Sequence, residues 1–364
     1  MFNLTIEINQ ICNLKCKYCY VVDKDGKEMD FDIALKTIDY GLTEARQFSD
    51  NTLQINFIGG EPLISFDLLS KILDHVELKK NSTKVMYTVS TNGIYINKYI
   101  MEFLKKYNFL IKTSLDGTKE SNDINRVDYS NQGSYDKFIN NIDLLRKYEK
   151  ETGNIIQLTN VVTKNNFTNF YNNILHLTYD LGFKYIDTGF DGLVDLTQDE
   201  YDFFNDEIDK TFDYYKNCIL SPKAFNFSLI EKKYFDFKAF KSFYSCRGGI
   251  VGAYIKTNGD IYACPKANEA GIDFGNVVTG IDLEKIISIN NIEGINISKC
   301  KSCKFNDICR NQRCVFGNLA ANGSINSPSE FGCWLAKKNY NIIIDNKEFF
   351  HKIFHNVKGE YQVN

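Results

Sequence analysis

The sequence predicts an α/β fold: a partial, open (β/α)6 barrel of the TIM type followed by a small cysteine-rich domain. Three observations carry this. Short apolar runs alternate with longer amphipathic stretches from Phe2 to about residue 195. The alternation then gives way to an acidic, aromatic stretch over 196–240 and to cysteine-dominated sequence from Phe243. The 11 cysteines are grouped, with Cys12, Cys16 and Cys19 together, Cys218 alone, and the remainder between Cys246 and Cys333.

Strands are expected at Leu4–Asn9, Leu53–Ile58, Val85–Ser90, Leu110–Leu115, Ile155–Val162 and Tyr185–Phe190, where apolar runs are short. Helices are expected at Asp32–Gln47, Phe66–Val76, Asn97–Lys106, Tyr135–Tyr148 and Phe167–Leu181. The second of these carries Leu69, Ile72, Leu73 and Val76 on one side. Six β/α units in series with right-handed crossovers give a parallel sheet with helices outside, which curls into an open barrel. Residues 1–195 are assigned to the barrel and 196–242 to a helical bridge rich in aromatics such as Tyr201, Phe203, Phe204, Phe212 and Tyr214. Residues 243–364 form the cysteine-rich domain and C-terminal tail, organised by metal more than by core.

With 364 residues, 43% of them hydrophobic, the chain can bury a substantial core, and a net charge of -3 argues for neither nucleic acid nor membrane as partner. There is no basic signal-like start and no apolar stretch of about 18 residues, so a cytoplasmic location is expected. Thiols stay reduced there and read as metal ligands instead of disulfides. His75, His176, His351 and His355 all stand apart from the cysteine groups. All-thiolate sites of this kind suit iron–sulfur clusters or zinc.

The first group reads Cys12-Asn13-Leu14-Lys15-Cys16-Lys17-Tyr18-Cys19. Three thiolates in one loop leave one iron of a [4Fe-4S] cluster open, where a small chelating molecule can bind and react. Further motifs fall where the next strands end, the functional side of a parallel barrel. They are Gly59-Gly60-Glu61-Pro62, Ser90-Thr91-Asn92-Gly93 and Ser114-Leu115-Asp116-Gly117. Each alone is ordinary turn chemistry. The glycine pair lets backbone approach a ligand closely, and Pro62 suits the first turn of a helix. Arg126 follows, with a planar fork suited to a carboxylate, although a lone arginine is more often solvated.

Together these motifs resemble the radical S-adenosylmethionine (radical SAM) enzymes, over about residues 1–195. The resemblance implies that Cys12, Cys16 and Cys19 hold a [4Fe-4S] cluster whose open iron is chelated by S-adenosylmethionine. An electron then cleaves the sulfonium C–S bond, and the 5′-deoxyadenosyl radical abstracts hydrogen from a substrate. It further implies that backbone at Gly59, Gly60 and Glu61 meets the methionine ammonium, and that Ser90, Asn92, Ser114 and Asp116 lie along the ribose. Arg126 would stand near the carboxylate, with Tyr18 and Val162 flanking the adenine.

The later thiols run Cys246, Gly259-x4-Cys264, Cys300-x2-Cys303-x5-Cys309-x4-Cys314 and Cys333. They exceed one tetrahedral zinc site and nearly fill two four-ligand sites. The spacing resembles the SPASM domain, an extension with two auxiliary [4Fe-4S] clusters, over roughly 243–340. The resemblance assigns Cys300, Cys303, Cys309 and Cys333 to an outer cluster and Cys246, Cys264 and Cys314 to an inner one. Three clusters in all are thus implied, the inner auxiliary one with an open iron that takes a substrate thiolate. The x4 spacing before Cys314, where x3 is usual, suggests a one-residue bulge. Cys218 reads as a buried inert thiol, or as the missing ligand if the bridge folds inward.

Two subclasses compete by resemblance. Anaerobic sulfatase-maturing enzymes, which make formylglycine, carry an aspartate directly after the cysteine of the G-x4-C element. Here that place is Pro265, and their further inner cysteine is absent. The departures favour a maturase of ribosomally made peptides that oxidatively modifies a Cys-containing precursor, most simply by a Cys thioether crosslink. An electron donor such as flavodoxin or ferredoxin is implied. The first strand begins at residue 2, so leader binding is expected to fall to a separate protein, the bridge or the tail. A plain multi-cluster electron-transfer protein is the non-enzymatic alternative. Acid–base candidates at the barrel mouth include Asp187, Asp191 and Tyr254, which the sequence does not rank.

Overall fold

The computed structural model describes residues 1–21, 26–191, 193, 196–236, 246–292 and 297–356. The boundary expected after residue 242 lies outside the described residues, as does Asp195 at the first one.

Six strands pair in chain order, each parallel to the next: β1 (Phe2–Asn9), β2 (Thr52–Gly59), β3 (Lys84–Thr91), β4 (Leu110–Ser114), β5 (Gln157–Val162) and β6 (Tyr185–Phe190). Each lies within two residues of the run that predicted it. Phe2, Leu4, Ile6 and Ile8 of β1 are fully buried and, alternating along the strand, share one covered face. The helix Phe31–Ala45 starts where the Asp30 carboxylate caps the Asp32 N–H at 2.8 Å. Phe66–Lys79 lays Leu69, Ile72, Leu73 and Val76 against the sheet side, each worth about 1.5–3 kcal/mol of apolar burial. Lys98–Lys106 is capped by Asn97, whose side chain accepts from Ile100 N.

Two expected helices are interrupted. The stretch from Tyr135 forms Tyr135–Ile139 and Ile142–Thr152, because the Asn141 amide donates to the carbonyls of Gly93 and Ile94 at 3.1 and 3.0 Å. The stretch from Phe167 opens in a 3-10 turn (Phe167–Asn169), continues as Phe170–Leu175 and widens to a π turn at His176–Asp180. The bridge begins with the 21-residue helix Gln198–Cys218, opened by a capping box of Thr197 and Glu200. Phe204 of this helix packs edge-on against Phe167, Phe170 and Phe190, so the helix covers the barrel flank. A two-residue strand, β7 (Asn226–Phe227), extends the sheet beyond β6.

The other edge carries the feature that the periodicity did not reveal. β8 (Gly252–Ile255) pairs parallel with β1, from Asn3↔Gly252 to Ile6↔Ile255. β9 (Asp260–Tyr262), β10 (Asp273–Asn276) and β11 (Gly280–Ile281) follow as an antiparallel meander. Residues 246–291 therefore pack with 1–226 as one compact unit. The second unit joins the described residues of 227–236 to those of 297–356. Its small core is Phe305, Ala336 and Tyr340, with Cys303, Ile308 and Cys309 packed against it.

Candidate active site

In the first unit, the cysteine loop and the ends of the strands enclose a cavity of about 400 Å³. Its wall includes Cys12, Cys16, Tyr18 and Cys19, then Gly59, Gly60, Ser90, Asn92, Ser114 and Arg126. Three thiols, two serine hydroxyls and a guanidinium thus face one space. The parallel strands deliver them, because each loop leaves the sheet at its carboxyl edge.

Glu61 does not reach that space. It is fully buried, and its carboxylate accepts from Thr91 Oγ1 at 2.8 Å, Leu63 N at 3.2 Å and Asn92 N at 2.7 Å. Burial pushes its pKa up to about 7, against those hydrogen bonds. Its backbone is also committed: the N–H donates to Ile11 O at 2.7 Å, and its carbonyl accepts from Asn9 Nδ2 at 3.0 Å. Glu61 is off the cavity wall, while Gly59 and Gly60 are on it. The glycines serve a different close approach from the one expected. A Cβ on Gly59 would lie 2.5 Å from Asn9 O, and one on Gly60 2.3 Å from Ile11 O. Both are bare so that this turn can seat against the segment leading into the cysteine loop.

Asn92 is likewise engaged. Its amide donates to Asn13 Oδ1 at 2.6 Å and reaches Cys12 Sγ at 4.0 Å. Glu61, Asn92 and Asn13 therefore tie three loops together, and Asn92, on the cavity wall, braces the first cysteine. Asp116 is 1% exposed and off the cavity wall. It accepts from Tyr18 OH at 2.8 and 2.9 Å and from Val161 N at 3.1 Å. Arg126 in turn donates to the Tyr18 hydroxyl oxygen at 3.0 Å. Burial raises the Asp116 carboxyl to about 6, opposed by Arg126 and Tyr18. Burial also raises Tyr18, while burial works against the Arg126 charge and Tyr18, Cys16 and Asp116 more than offset it. Val162 faces away at 2% exposure; side chains alternate along a strand, and Thr159 and Val161 hold the wall positions of β5.

The sequence reading missed Asn13, Thr91, Thr159, Val161 and, at the end of β6, Gly189 and Phe190. The period of two along β5 and the rule that barrel function lies at strand ends were the available signals. Lys266 and Glu269 of the helix Pro265–Glu269 also line the cavity, with Pro265 at its first turn. Tyr254 is buried with its hydroxyl on Glu7, which removes it from the mouth. Asp187 is not on the cavity wall, and Asp191 is.

In the second unit, Cys300, Cys303, Cys309 and Cys333 line one cavity of about 60 Å³, flanked by Lys299 and Lys337. Burial and then the Cys333, Cys309 and Cys303 thiols raise Cys300, against Lys299. Among the described residues, no three His, Cys, Asp or Glu side chains group closely enough to hold a single ion. Arg313 donates to the carbonyls of Asn306 and Asp307 and fixes the loop between them. The stretch before Cys314, where a bulge was expected, is a 3-10 turn (Asn311–Arg313). Cys314 is exposed at the head of the helix Val315–Asn322. Cys246 is exposed and Cys264 precedes Pro265, both in the first unit. Cys218 is buried at the end of its helix. No helix of the described residues is long and apolar enough to cross a membrane.

Comparison with known proteins fits this geometry. The model of the radical SAM superfamily matches residues 6–172. The radical SAM cyclopropyl synthase TigE of Paramaledivibacter caminithermalis is 28% identical over 84% of this chain and 66% of its own length. A cysteine-type anaerobic sulfatase-maturating enzyme of Clostridium novyi is 34% identical over 44% of each chain. The chain thus spans from under half to about two thirds of the length of these curated relatives. The fold is that of anSMEcpe, solved with bound AdoMet and the Kp18Cys peptide, at a TM-score of 0.76 and 18% identity, over 97% of this chain and 99% of that one. Residues 6–172 therefore form a radical SAM domain.

Proposed function

We propose that this protein is a cytoplasmic radical SAM maturase that oxidatively modifies a Cys-containing precursor peptide, most simply by a thioether crosslink. The observation that carries the reading is the shared cavity. Cys12, Cys16 and Cys19 face it together with Gly59, Gly60, Ser90, Ser114 and Arg126. Three thiols fit a [4Fe-4S] cluster with one open iron, and the space beside them suits a nucleoside sulfonium. With cluster and S-adenosylmethionine bound, the site supplies a 5′-deoxyadenosyl radical for hydrogen abstraction.

The protein's own residues then hold and orient. Ser90 and Ser114 offer hydroxyls to a ribose, the Tyr18 ring stands beside them, and the Arg126 charge suits a carboxylate. The outer auxiliary cluster is assigned to Cys300, Cys303, Cys309 and Cys333, whose common cavity supports it. The inner one is assigned to Cys246, Cys264 and Cys314, leaving an iron for the substrate sulfur. Flavodoxin or ferredoxin would supply electrons, and a separate protein, the bridge or the tail would hold the leader. Formylglycine formation is the second reading, favoured by the likeness to the Clostridium novyi enzyme. Pro265 weighs against it, since proline takes no proton.

Anaerobic purification tests the reading. The protein should be brown and, with dithionite, release 5′-deoxyadenosine from S-adenosylmethionine. Intact clusters without that product would remove it. With a cysteine peptide, mass spectrometry separates the outcomes: a thioether loses a pair of hydrogens and keeps its sulfur, whereas formylglycine loses the sulfur.

A further inference from the structure

The carboxylates on the cavity wall are Asp191 and Glu269, and they differ in availability. Glu269 is ion-paired with Lys266 at 2.7 Å, one turn away on the same short helix. Asp191 ends β6, where its backbone N–H is spent on Val162 O at 3.0 Å. Its side chain is exposed to the cavity and takes no hydrogen bond or ion pair from any described residue. The other ionisable groups on this wall are committed or unsuited. Arg126 is bonded to Tyr18 and Tyr18 to Asp116, and Cys12, Cys16 and Cys19 belong to the cluster loop. Pro265, across the same space, offers nothing to a proton.

We infer that Asp191 is the group that takes the proton from the substrate's reacting cysteine. The inference rests on the peptide-maturase reading. The step is a simple transfer. The substrate S–H bond breaks, its electron pair stays on sulfur as thiolate, and the proton adds to an Asp191 carboxylate oxygen. No electron leaves or enters in this step, so it needs no oxidant of its own.

The surroundings suit a base that must work near neutrality. Partial burial raises the Asp191 carboxyl, Lys266 lowers it and Glu269 raises it, so Asp191 holds a proton more readily than a solvated aspartate. Lys266 and Glu269 are the charged groups that face it from the opposing helix. They present a neutral pair to an incoming peptide while leaving Asp191 as the open acceptor.

The test uses the reconstituted full chain with a cysteine-containing peptide substrate, following 5′-deoxyadenosine and modified peptide together. Wild type that fails to cleave S-adenosylmethionine would sink the maturase reading itself. If wild type is active, Asp191→Asn should lower modified peptide at least a hundredfold. The ratio of 5′-deoxyadenosine released to peptide modified should rise at least tenfold. Asp191→Glu should restore product and move the acid limb of the pH profile. Product formation by Asp191→Asn at the wild-type ratio would overturn the inference. So would a raised KM for S-adenosylmethionine at an unchanged ratio, which would place Asp191 on the cofactor and not on the substrate.

Discussion

Glu61 accepts the backbone N–H of Asn92 at 2.7 Å, and Asn92 passes that constraint to Asn13 at 2.6 Å, one residue from Cys12. A carboxylate from the second strand's loop thus fixes the first strand's cysteines through the third strand's turn. The pair is buried, so its charge has a measurable signature.

That signature is a pH dependence of stability. In the folded chain the Glu61 carboxyl sits at about 7, above the ordinary value of 4.5, because burial penalises its charge. Native protein therefore binds this proton more tightly than unfolded protein does. The contribution is fully present below pH 4.5 and is lost as pH rises through about 7. Glu61→Gln lacks the titration. The stability advantage of wild type over Glu61→Gln should be larger at pH 5 than at pH 8, read by thermal unfolding; a gap that widens with rising pH would contradict the assignment.

Gly60→Ala should be costly. Its Cβ would sit 2.3 Å from a backbone oxygen, Ile11 O, which no rotamer change relieves. Expect a loss of about 1–3 kcal/mol and displaced cysteines, hence less iron at the first site. Gly189→Ala is the contrast, since its Cβ would meet nothing nearer than 3.9 Å. It should stay within about 1 kcal/mol of wild type. Urea unfolding and iron quantitation decide both.

Tyr18→Phe removes the hydroxyl standing between Arg126 and Asp116. Two buried charged groups lose a partner, for an expected cost of about 1–3 kcal/mol. Tyr20 lines the same cavity but is 44% exposed, and Tyr20→Phe should shift stability by less than about 0.5 kcal/mol. Equal costs for the two would show that the bonded hydroxyl is not what matters.

Cys300→Ala should remove about four irons per chain, a whole cluster, and leave the first site's signal intact. Cys218→Ala should leave iron unchanged if the buried thiol only fills space. Iron analysis with electron paramagnetic resonance reads both, and an iron deficit in Cys218→Ala would make Cys218 a ligand.

The barrel was legible because its strands are short, apolar and bounded by turn residues, so Tyr185–Phe190 is found to the residue. Caps such as Asn97 settle where helices begin. What stayed hidden depends on distant partners. Nothing local in Gly252–Ile255 says that it pairs with β1. The break at Asn140–Asn141 reflects carbonyls at Gly93 and Ile94, far away in sequence. In the site, residue types located the cavity wall well, yet Val161 and Val162 are chemically alike and only the pleat chooses between them. Glu61, Asn92 and Asp116 were picked out as important positions, but their bonds to neighbouring loops depend on partners far away in sequence.

The pairing of β1 with β8 has a consequence for how the site comes into being. Asn3 to Ile6 acquire their second neighbour only when Gly252 to Ile255 arrive. During synthesis the N-terminal cysteines leave the ribosome early but hang from an unfinished edge until most of the chain has emerged. Cluster insertion into Cys12, Cys16 and Cys19 is then best timed after Gly252–Ile255 have emerged and paired. Truncations that end before residue 252 should yield a loop that takes up iron poorly, even though every ligand of that loop is present.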